Sequence, residues 1–276
     1  MELIRTHHPD SFRSLDTAAL RRDFLVQGLF VPGRIETRQW EADRTVIGGA
    51  VPLATPLKLE APPELRAEHF CERREVGVAN LGGPGVLTVD GVALALGKCD
   101  FAYVGRGARE VTFASDNAAS PAAFYLVSYP AHAAHPSRKV ALADTTPKDV
   151  GAAETSNQRR IHQMILPVRG PSCQLVMGFT ALAPGSIWNT QPPHIHERRS
   201  EVYLYFDVPV GQMVVHFLGA PQETRHLIVR DREAAFSPGW SIHMGAGTGT
   251  YGYVWAMGGE NLDYADMDPA PLSTLA

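Results

Sequence analysis

The sequence predicts an all-β protein made of two copies of one barrel or sandwich domain. Three observations carry that expectation. Short apolar runs recur along the 276 residues between turn residues, and glycine (25) and proline (21) are plentiful and spread throughout. A weak internal repeat aligns HFCERREVG (69–77) with HIHERRSEV (194–202), each preceded by a proline-bearing loop. The second copy carries His194 and His196, a spacing that sends both side chains from one face of a strand, and such ligands need a rigid wall.

Helical periodicity is scarce. The one good candidate is Asp16–Gln27, where Asp16 can cap and Leu20 and Phe24 fall four apart. Strands are expected at Val76–Leu81, Gly85–Asp90, Val92–Leu96, Glu110–Ala114, Ala123–Ser128, Gln174–Thr180, Glu201–Phe206, Met213–Leu218, His226–Val229 and Gly252–Met257. Asp90-Gly91 between two apolar runs signals a tight hairpin. Each copy later reaches an aromatic-then-glycine segment, DFAYVGRGARE (100–110) in the first and AAFSPGWSIH (234–243) in the second. His132–Asn157, rich in proline and alanine, reads as the connection, so the expected domains are 1–150 and 151–276.

Apolar residues at 45% and charged residues at 20% allow a full core and argue against disorder. A net charge of −4 argues against a nucleic-acid partner and against a polybasic membrane anchor. The first residues, MELIRTHHPDSF, lack the apolar core of a signal peptide, and no apolar run is long enough to span a bilayer. Cys71, Cys99 and Cys173 fit neither a disulfide framework nor a thiolate zinc site. A cytoplasmic protein with reduced thiols is the expectation.

The chemistry concentrates in PPHIHERRSE (192–201) and SPGWSIH (237–243). His194, His196, Glu201 and His243 together offer three imidazoles and one carboxylate, a set that binds a divalent metal. Paired histidines on a strand are commonly ordinary surface or core residues. Here Pro192-Pro193 stiffens the lead-in, and a Pro-Gly turn shortly precedes His243. Strict alternation from His196 would put residues 198 and 200 on the ligand face, so a bulge or turn within Glu197–Ser200 must re-aim Glu201. The donors suit tetrahedral zinc or, with added waters, octahedral manganese, iron, cobalt or nickel. Four protein ligands can leave a position for substrate, which is a catalytic pattern.

The first copy differs at these positions. His69 falls opposite His194, Cys71 replaces His196, Glu75 is one residue short of Glu201, and Glu110 lies near the place of His243. A second site at His69, Cys71 and Glu75 is the less favoured reading; a first barrel without metal, serving packing and assembly, is expected. In PQETRH (221–226) a solvated hairpin loop competes with a functional role, in which Arg225 grips a substrate carboxylate and Glu223 or His226 moves a proton. Arg159 and Arg160 could likewise hold an anion, with a solvated basic loop as the plainer reading, and Arg160 is retained as a candidate substrate residue. Of adjacent Arg198 and Arg199, one can support the metal site while the other makes a surface or interface ion pair. His216 reads as a satisfied core histidine rather than a fifth ligand, and Trp188, Tyr203, Tyr253 and Trp255 as packing on which a sugar could lie. No dinucleotide fingerprint, P-loop or nucleophile elbow is present.

His-x-His, a following Glu and a distant His resemble the cupin metal signature. Longer strings go further: FLVQGLFVPG, ERREVGVANLGGPG, YVGRGAREVTFAS, TSNQRRIHQ, LAPGSIWNTQPPHIHERRSEVYLYFD, SPGWSIHMGAGT and GENLDYADMD resemble the 5-dehydro-4-deoxy-D-glucuronate isomerase family, from about residue 10 to 270. The resemblance implies two tandem cupin barrels with a few short helices, and Zn2+ in the C-terminal barrel on His194, His196, Glu201 and His243. It also implies a homohexamer and a cytoplasmic ketol-isomerase of polyuronide breakdown. The implied substrate is a small sugar acid, 5-dehydro-4-deoxy-D-glucuronate, isomerised to 3-deoxy-D-glycero-2,5-hexodiulosonate through an enediol or a hydride shift. A cupin dioxygenase and a non-catalytic sugar-acid-binding cupin are the alternatives on the same scaffold.

Overall fold

The computed structural model describes residues 1–260 and 264–276; positions 261–263, within the GENLDYADMD string, lie outside the described residues. Among the described residues strands dominate, with two short α-helices and scattered single helical turns. The fold is all-β, of the two-barrel cupin type.

Each unit pairs a seven-stranded sheet with a four-stranded one. In the first, the large sheet runs Glu2–Ile4, Ile35–Trp40, Val46–Ala50, Phe124–Pro130, Arg74–Asn80, Phe101–Val104, Arg138–Val140 in spatial order, and the small one Leu57–Lys58, Val111–Ser115, Gly85–Val89, Val92–Leu96. In the second, the large sheet runs Lys148–Val150, Arg159–Ile165, Val176–Leu182, Gly252–Gly259, Arg199–Phe206, Ala234–Ser237, Leu25–Val26, and the small one Trp188–Asn189, Ile242–Gly247, Val214–Ala220, Glu223–Val229. Arg74–Asn80 and Arg199–Phe206 hold the same place in the two orders. The repeat read from HFCERREVG and HIHERRSEV is therefore a structural repeat.

The units are interleaved along the chain, where the sequence suggested one cut near 150. One comprises Met1–Ile4, Gly28–Thr146 and Met164–Met177; the other Arg5–Gln27, Pro147–Gln163 and Gly178–Ala276. The last strand of the first large sheet is local to its unit, whereas the second sheet takes Leu25–Val26 from the start of the chain. That edge strand also shortens the helix. Asp16 caps as expected, its side chain accepting from the Ala19 amide, and Leu20 and Phe24 are buried. The helix stops at Phe24 instead of Gln27 because Leu25 and Val26 pair with Ala235 and Ala234. Sheet hydrogen bonds and apolar burial there outweigh further helical turns, which only tertiary contacts reveal.

Between the sheets of the first unit, Val78, Leu87, Val104, Phe113, Phe124 and Leu126 form part of one core. Each large apolar side chain buried this way contributes about 1.5–3 kcal/mol. Gly85–Val89 alternates buried and half-buried, as a strand with one inward face must. The Asp90-Gly91 hairpin forms with Val89 opposite Val92, and its two turn residues have φ of 46° and 82°, the left-handed pair a two-residue hairpin requires.

PQETRH departs from expectation. The turn is confined to Pro221-Gln222, and Glu223–Val229 is an edge strand with Ala220 opposite Glu223, Leu218 opposite Arg225 and Phe217 opposite His226. Cross-strand pairing extends the strand into polar residues because one of its faces stays in solvent.

Candidate metal centre

The His-x-His pair starts on the short strand His194–Ile195, which pairs antiparallel with Asp268–Pro269 near the C-terminus. A turn at Glu197-Arg198 follows, with the Arg199 amide donating to the His196 carbonyl at 3.3 Å. This is the break in alternation that the spacing demands. It restarts the pleat so that Glu201 and Tyr203 face the barrel interior. His243 comes from Ile242–Gly247 in the small sheet, where it lies opposite Leu218. The Pro238-Gly239 turn closes through the Ser241 amide on the Pro238 carbonyl at 2.9 Å and delivers His243 to the interior.

The four side chains converge, their donor atoms all within 4.8 Å of one another. His194 Nε2 lies 3.2 Å from His196 Nε2 and 3.0 Å from His243 Nε2. Glu201 Oε2 lies 3.1 Å from His196 Nε2 and 2.9 Å from His243 Nε2. Donors placed at about 2.0–2.2 Å around one cation stand roughly 3 Å apart, so these spacings fit a shared metal.

The outer nitrogens argue the same way. His196 Nδ1 lies 2.9 Å from the Asp266 carbonyl oxygen, and His243 Nδ1 lies 3.1 Å from Ser237 Oγ, whose hydroxyl donates to the Ser241 carbonyl at 3.2 Å. A carbonyl only accepts, so His196 Nδ1 carries the proton. Ser237 donates elsewhere, so His243 Nδ1 carries one too. The Nε2 lone pairs then point at each other and at a carboxylate. Such a set is repulsive alone and attractive around a dication.

Burial keeps the His194 imidazole neutral. Its pKa is pushed down to about 2, by burial first and then by the nearby His243 and His196 rings. Burial pushes the Glu201 carboxyl up, but the two imidazoles touching it outweigh this and hold it below the usual carboxylate range. A neutral imidazole set beside an ionised carboxylate is the ligand form of these groups.

Arg199 frames the site. It is buried, and its Nη2 reaches the carbonyl oxygens of Tyr264 and Asp266, each at 3.2 Å. Its guanidinium also lies 3.3 Å from His196 Nδ1, but that nitrogen is a donor when Nε2 is a ligand, so the Arg199 protons belong to the carbonyls. Arg198 turns outward to Glu260 at 3.4 Å, both exposed. One arginine of the pair thus supports the site and the other makes a surface ion pair.

His194, His196 and Glu201 border a cavity of about 350 Å³, walled by Thr190, Tyr203, Tyr253, Trp255, Tyr264 and Met257 among others, with His243 buried behind them. Burial raises the phenols of Tyr203, Tyr253 and Tyr264, so they stay protonated and donate hydrogen bonds. Thr190 Oγ1 holds the Tyr203 hydroxyl at 2.8 Å. Deeper in the barrel, the Tyr205 hydroxyl and His216 Nδ1 share a hydrogen bond at 2.7 Å. His216 is a core histidine as expected, but only half satisfied: among the described residues its Nε2 has no hydrogen-bond partner. Trp188 stacks on Phe217 instead of lining this cavity.

Other predicted residues lie elsewhere. Glu223 and His226 are exposed on the edge strand, and none of Glu223, Arg225 and His226 lines the cavity. The Arg225 guanidinium donates to the carbonyls of Arg13 and Leu15, at 3.1 and 2.7 Å, and so holds the N-terminal segment. Arg160 is exposed and pairs with Asp149 at 2.8 Å, while its neighbour Arg159 faces the cavity. Period-two alternation puts Arg159, not the retained candidate Arg160, on the cavity side. Lys148, Thr190, Tyr264 and the Asp266 carbonyl were missed, since they meet the site only through tertiary pairing. In the first unit, Glu75 accepts from the amides of Cys173, Gln174 and Leu175 and from the Tyr103 hydroxyl, so both of its oxygens are engaged.

Known proteins share this sequence and architecture. The model of the KduI/IolB family matches residues 31–271. The chain is 48% identical over 267 residues to a 4-deoxy-L-threo-5-hexosulose-uronate ketol-isomerase of Formosa agariphila, covering 97% of this chain and 95% of that one. It is 46% identical over 277 residues to the protein of that name from Yersinia enterocolitica, covering the whole of both. Among solved structures, an IolB-like protein from Salmonella typhimurium superposes with a TM-score of 0.71 at 14% identity, over 87% of this chain and 94% of that one. Bacillus subtilis oxalate decarboxylase superposes at 0.56 and 12%, over 81% and 71%. These two likenesses are of fold. The full-length identities and the family match together place the chain in the KduI/IolB family, as an enzyme of its ketol-isomerase branch.

Proposed function

We propose that the chain isomerises 5-dehydro-4-deoxy-D-glucuronate to 3-deoxy-D-glycero-2,5-hexodiulosonate, a step in pectin and other polyuronide breakdown, at the His194, His196, Glu201 and His243 centre. The observation that carries this reading is the convergence of three imidazoles and a carboxylate, of which His194, His196 and Glu201 reach the wall of an aromatic, hydroxyl-lined cavity. The names of the full-length relatives support the substrate.

The donor set fits a divalent ion, with zinc favoured by three nitrogens and one oxygen. Bound there, the ion supplies Lewis acidity for the negative charge that develops on a substrate oxygen, worth several kcal/mol. The protein does the rest. The reaction moves a hydrogen from the hydroxyl-bearing C2 to the aldehyde C1 and a proton from the C2 oxygen to the C1 oxygen, with no net oxidation. Tyr203, Tyr253 and Tyr264 present protonated phenols that hold the substrate's oxygens. Trp255 and Met257 keep bulk water from the reacting carbons. Among the described residues lining the cavity, Glu201 is the one carboxylate, and it belongs to the quartet. That favours hydrogen transfer within the substrate over deprotonation by a free carboxylate.

The test pairs elemental analysis with an assay on the sugar acid before and after chelation. Stoichiometric metal, activity lost on chelation and restored by zinc, and no oxygen uptake are expected. Full turnover by demetallated protein would overturn the reading. Solvent deuterium absent from the product would support transfer within the substrate, and its incorporation would assign the step to a protein-borne proton. The family resemblance supports a cytoplasmic homohexamer, checked by sedimentation and fractionation.

A further inference from the structure

The strands Lys148–Val150 and Arg159–Ile165 pair antiparallel, with Lys148 opposite Ile161, Asp149 opposite Arg160 and Val150 opposite Arg159. Residues two apart share a face. Lys148, Val150, Arg159 and Ile161 therefore form one face, and all four line the cavity bordered by His194, His196 and Glu201. Asp149 and Arg160 form the other face and neutralise each other there.

Arg159 has no such counter-charge among the described residues. It is half-buried, and its Nη1 donates to the Asn157 carbonyl at 2.8 Å. One edge of the guanidinium is thus fixed by backbone while the other donors remain for a ligand. The charge is felt across the cavity, for it draws the Tyr253 and Tyr264 phenols down against the upward push of burial. Glu201 is the one described carboxylate on the wall, against Arg159, Lys148 and the cation the quartet would hold. A cation left unpaired beside apolar walls is costly, so this cavity favours an anionic occupant.

We propose that Arg159, assisted by Lys148, forms an anion subsite for the carboxylate of a sugar acid, fixing which end of the substrate meets the quartet. This rests on the proposed isomerase reading. A guanidinium matches a carboxylate with two parallel hydrogen bonds, and the exposed Lys148 ammonium adds a second charge from the rim. With the carboxylate held there, the aldehyde end of an open-chain acid is the end left for the quartet. A neutral sugar of the same length lacks this anchor, so Arg159 determines specificity for acids.

Arg159→Met, Arg159→Lys and Lys148→Met test this in metal-loaded protein, with metal content measured in each. Arg159→Met is expected to raise KM for the sugar acid by about tenfold or more while kcat changes much less, as loss of uniform binding predicts. Arg159→Lys should recover part of the loss, and Lys148→Met should show a smaller rise. Calorimetry with D-glucuronate and its methyl ester supplies an independent arm: wild type should prefer the acid, and Arg159→Met should lose the preference. An unchanged KM in Arg159→Met with normal metal content, or equal binding of acid and ester by wild type, overturns the subsite. If wild type fails to convert the sugar acid, the isomerase reading falls, and the acid-against-ester comparison still decides the subsite.

Discussion

His196 Nδ1 lies 2.9 Å from the carbonyl oxygen of Asp266, seventy residues later in the chain. That contact sets the tautomer that leaves Nε2 facing the quartet. Arg199 holds the same carbonyl and that of Tyr264, so one buried guanidinium organises the backbone that orients a ligand. Outer contacts of this kind typically govern metal affinity by about 10–100-fold. Arg199→Ala should weaken metal binding by that factor in a chelator competition, with Arg199→Lys in between. Affinity equal to wild type in Arg199→Ala would show that the Asp266 carbonyl needs no support.

The PQETRH strand should be dispensable for chemistry. Glu223→Gln and His226→Gln are each expected to keep kcat and KM within about twofold, because ±0.5 kcal/mol is typical of exposed positions. Arg225→Ala should leave KM unchanged and lower stability by about 1–2 kcal/mol, since two backbone carbonyls lose a charged donor. Steady-state kinetics with denaturant melts separate the two effects. A large loss of kcat in either Glu223→Gln or His226→Gln would return the proton shuttle to this strand.

Glu75 is fully buried and accepts from three consecutive amides, at 2.7, 2.6 and 2.8 Å, and from Tyr103 at 2.8 Å. The Arg138 guanidinium lies 4.5 Å over the Tyr103 ring and donates to the Gly170 and Pro171 carbonyls, so the cluster ties residues 170–175 down. Glu75→Gln turns an acceptor toward a donor and orphans at least one amide. A loss of about 1–3 kcal/mol is expected in chemical denaturation. Metal affinity at the quartet should not move.

His216 makes the fold acid-sensitive. Its pKa is pushed down to about 3, chiefly by burial. Near pH 7 it is neutral folded or unfolded. Below about 6.5 the unfolded chain binds a proton that the folded one refuses, so stability falls as pH drops from about 6.5 toward 3, by up to about 1.4 kcal/mol per pH unit. His216→Gln should remove about one proton from the uptake on unfolding in that window. An unchanged pH slope would place the acid sensitivity elsewhere.

The strands were legible because alternation and turn chemistry are written within a few residues. Asp90-Gly91 specifies its hairpin outright, and the repeat around Glu75 and Glu201 marks two equivalent strands. The four converging side chains were legible for the same reason: His194, His196 and Glu201 lie on one short stretch, and their spacing itself demanded the turn at Glu197-Arg198. His243 was marked by its Pro-Gly turn. Local signals failed where a residue's role depends on what packs against it. Arg159 and Arg160 are chemically alike and adjacent, and only the pairing with Lys148–Val150 puts Arg159 inside. Glu223 and His226 look catalytic beside Arg225 until the strand is seen at an edge.

The sequence by itself determined the all-β class, the duplication and the convergence-ready quartet, since each is carried by contiguous residues obeying strand geometry. Tertiary structure alone decided that Leu25–Val26 closes the second sheet, that the Asp266 carbonyl sets a histidine tautomer, and that Arg159 rather than Arg160 faces the cavity. Those outcomes depend on contacts between segments far apart in the chain, and a strand with polar residues on both faces carries no local sign of which face will be buried.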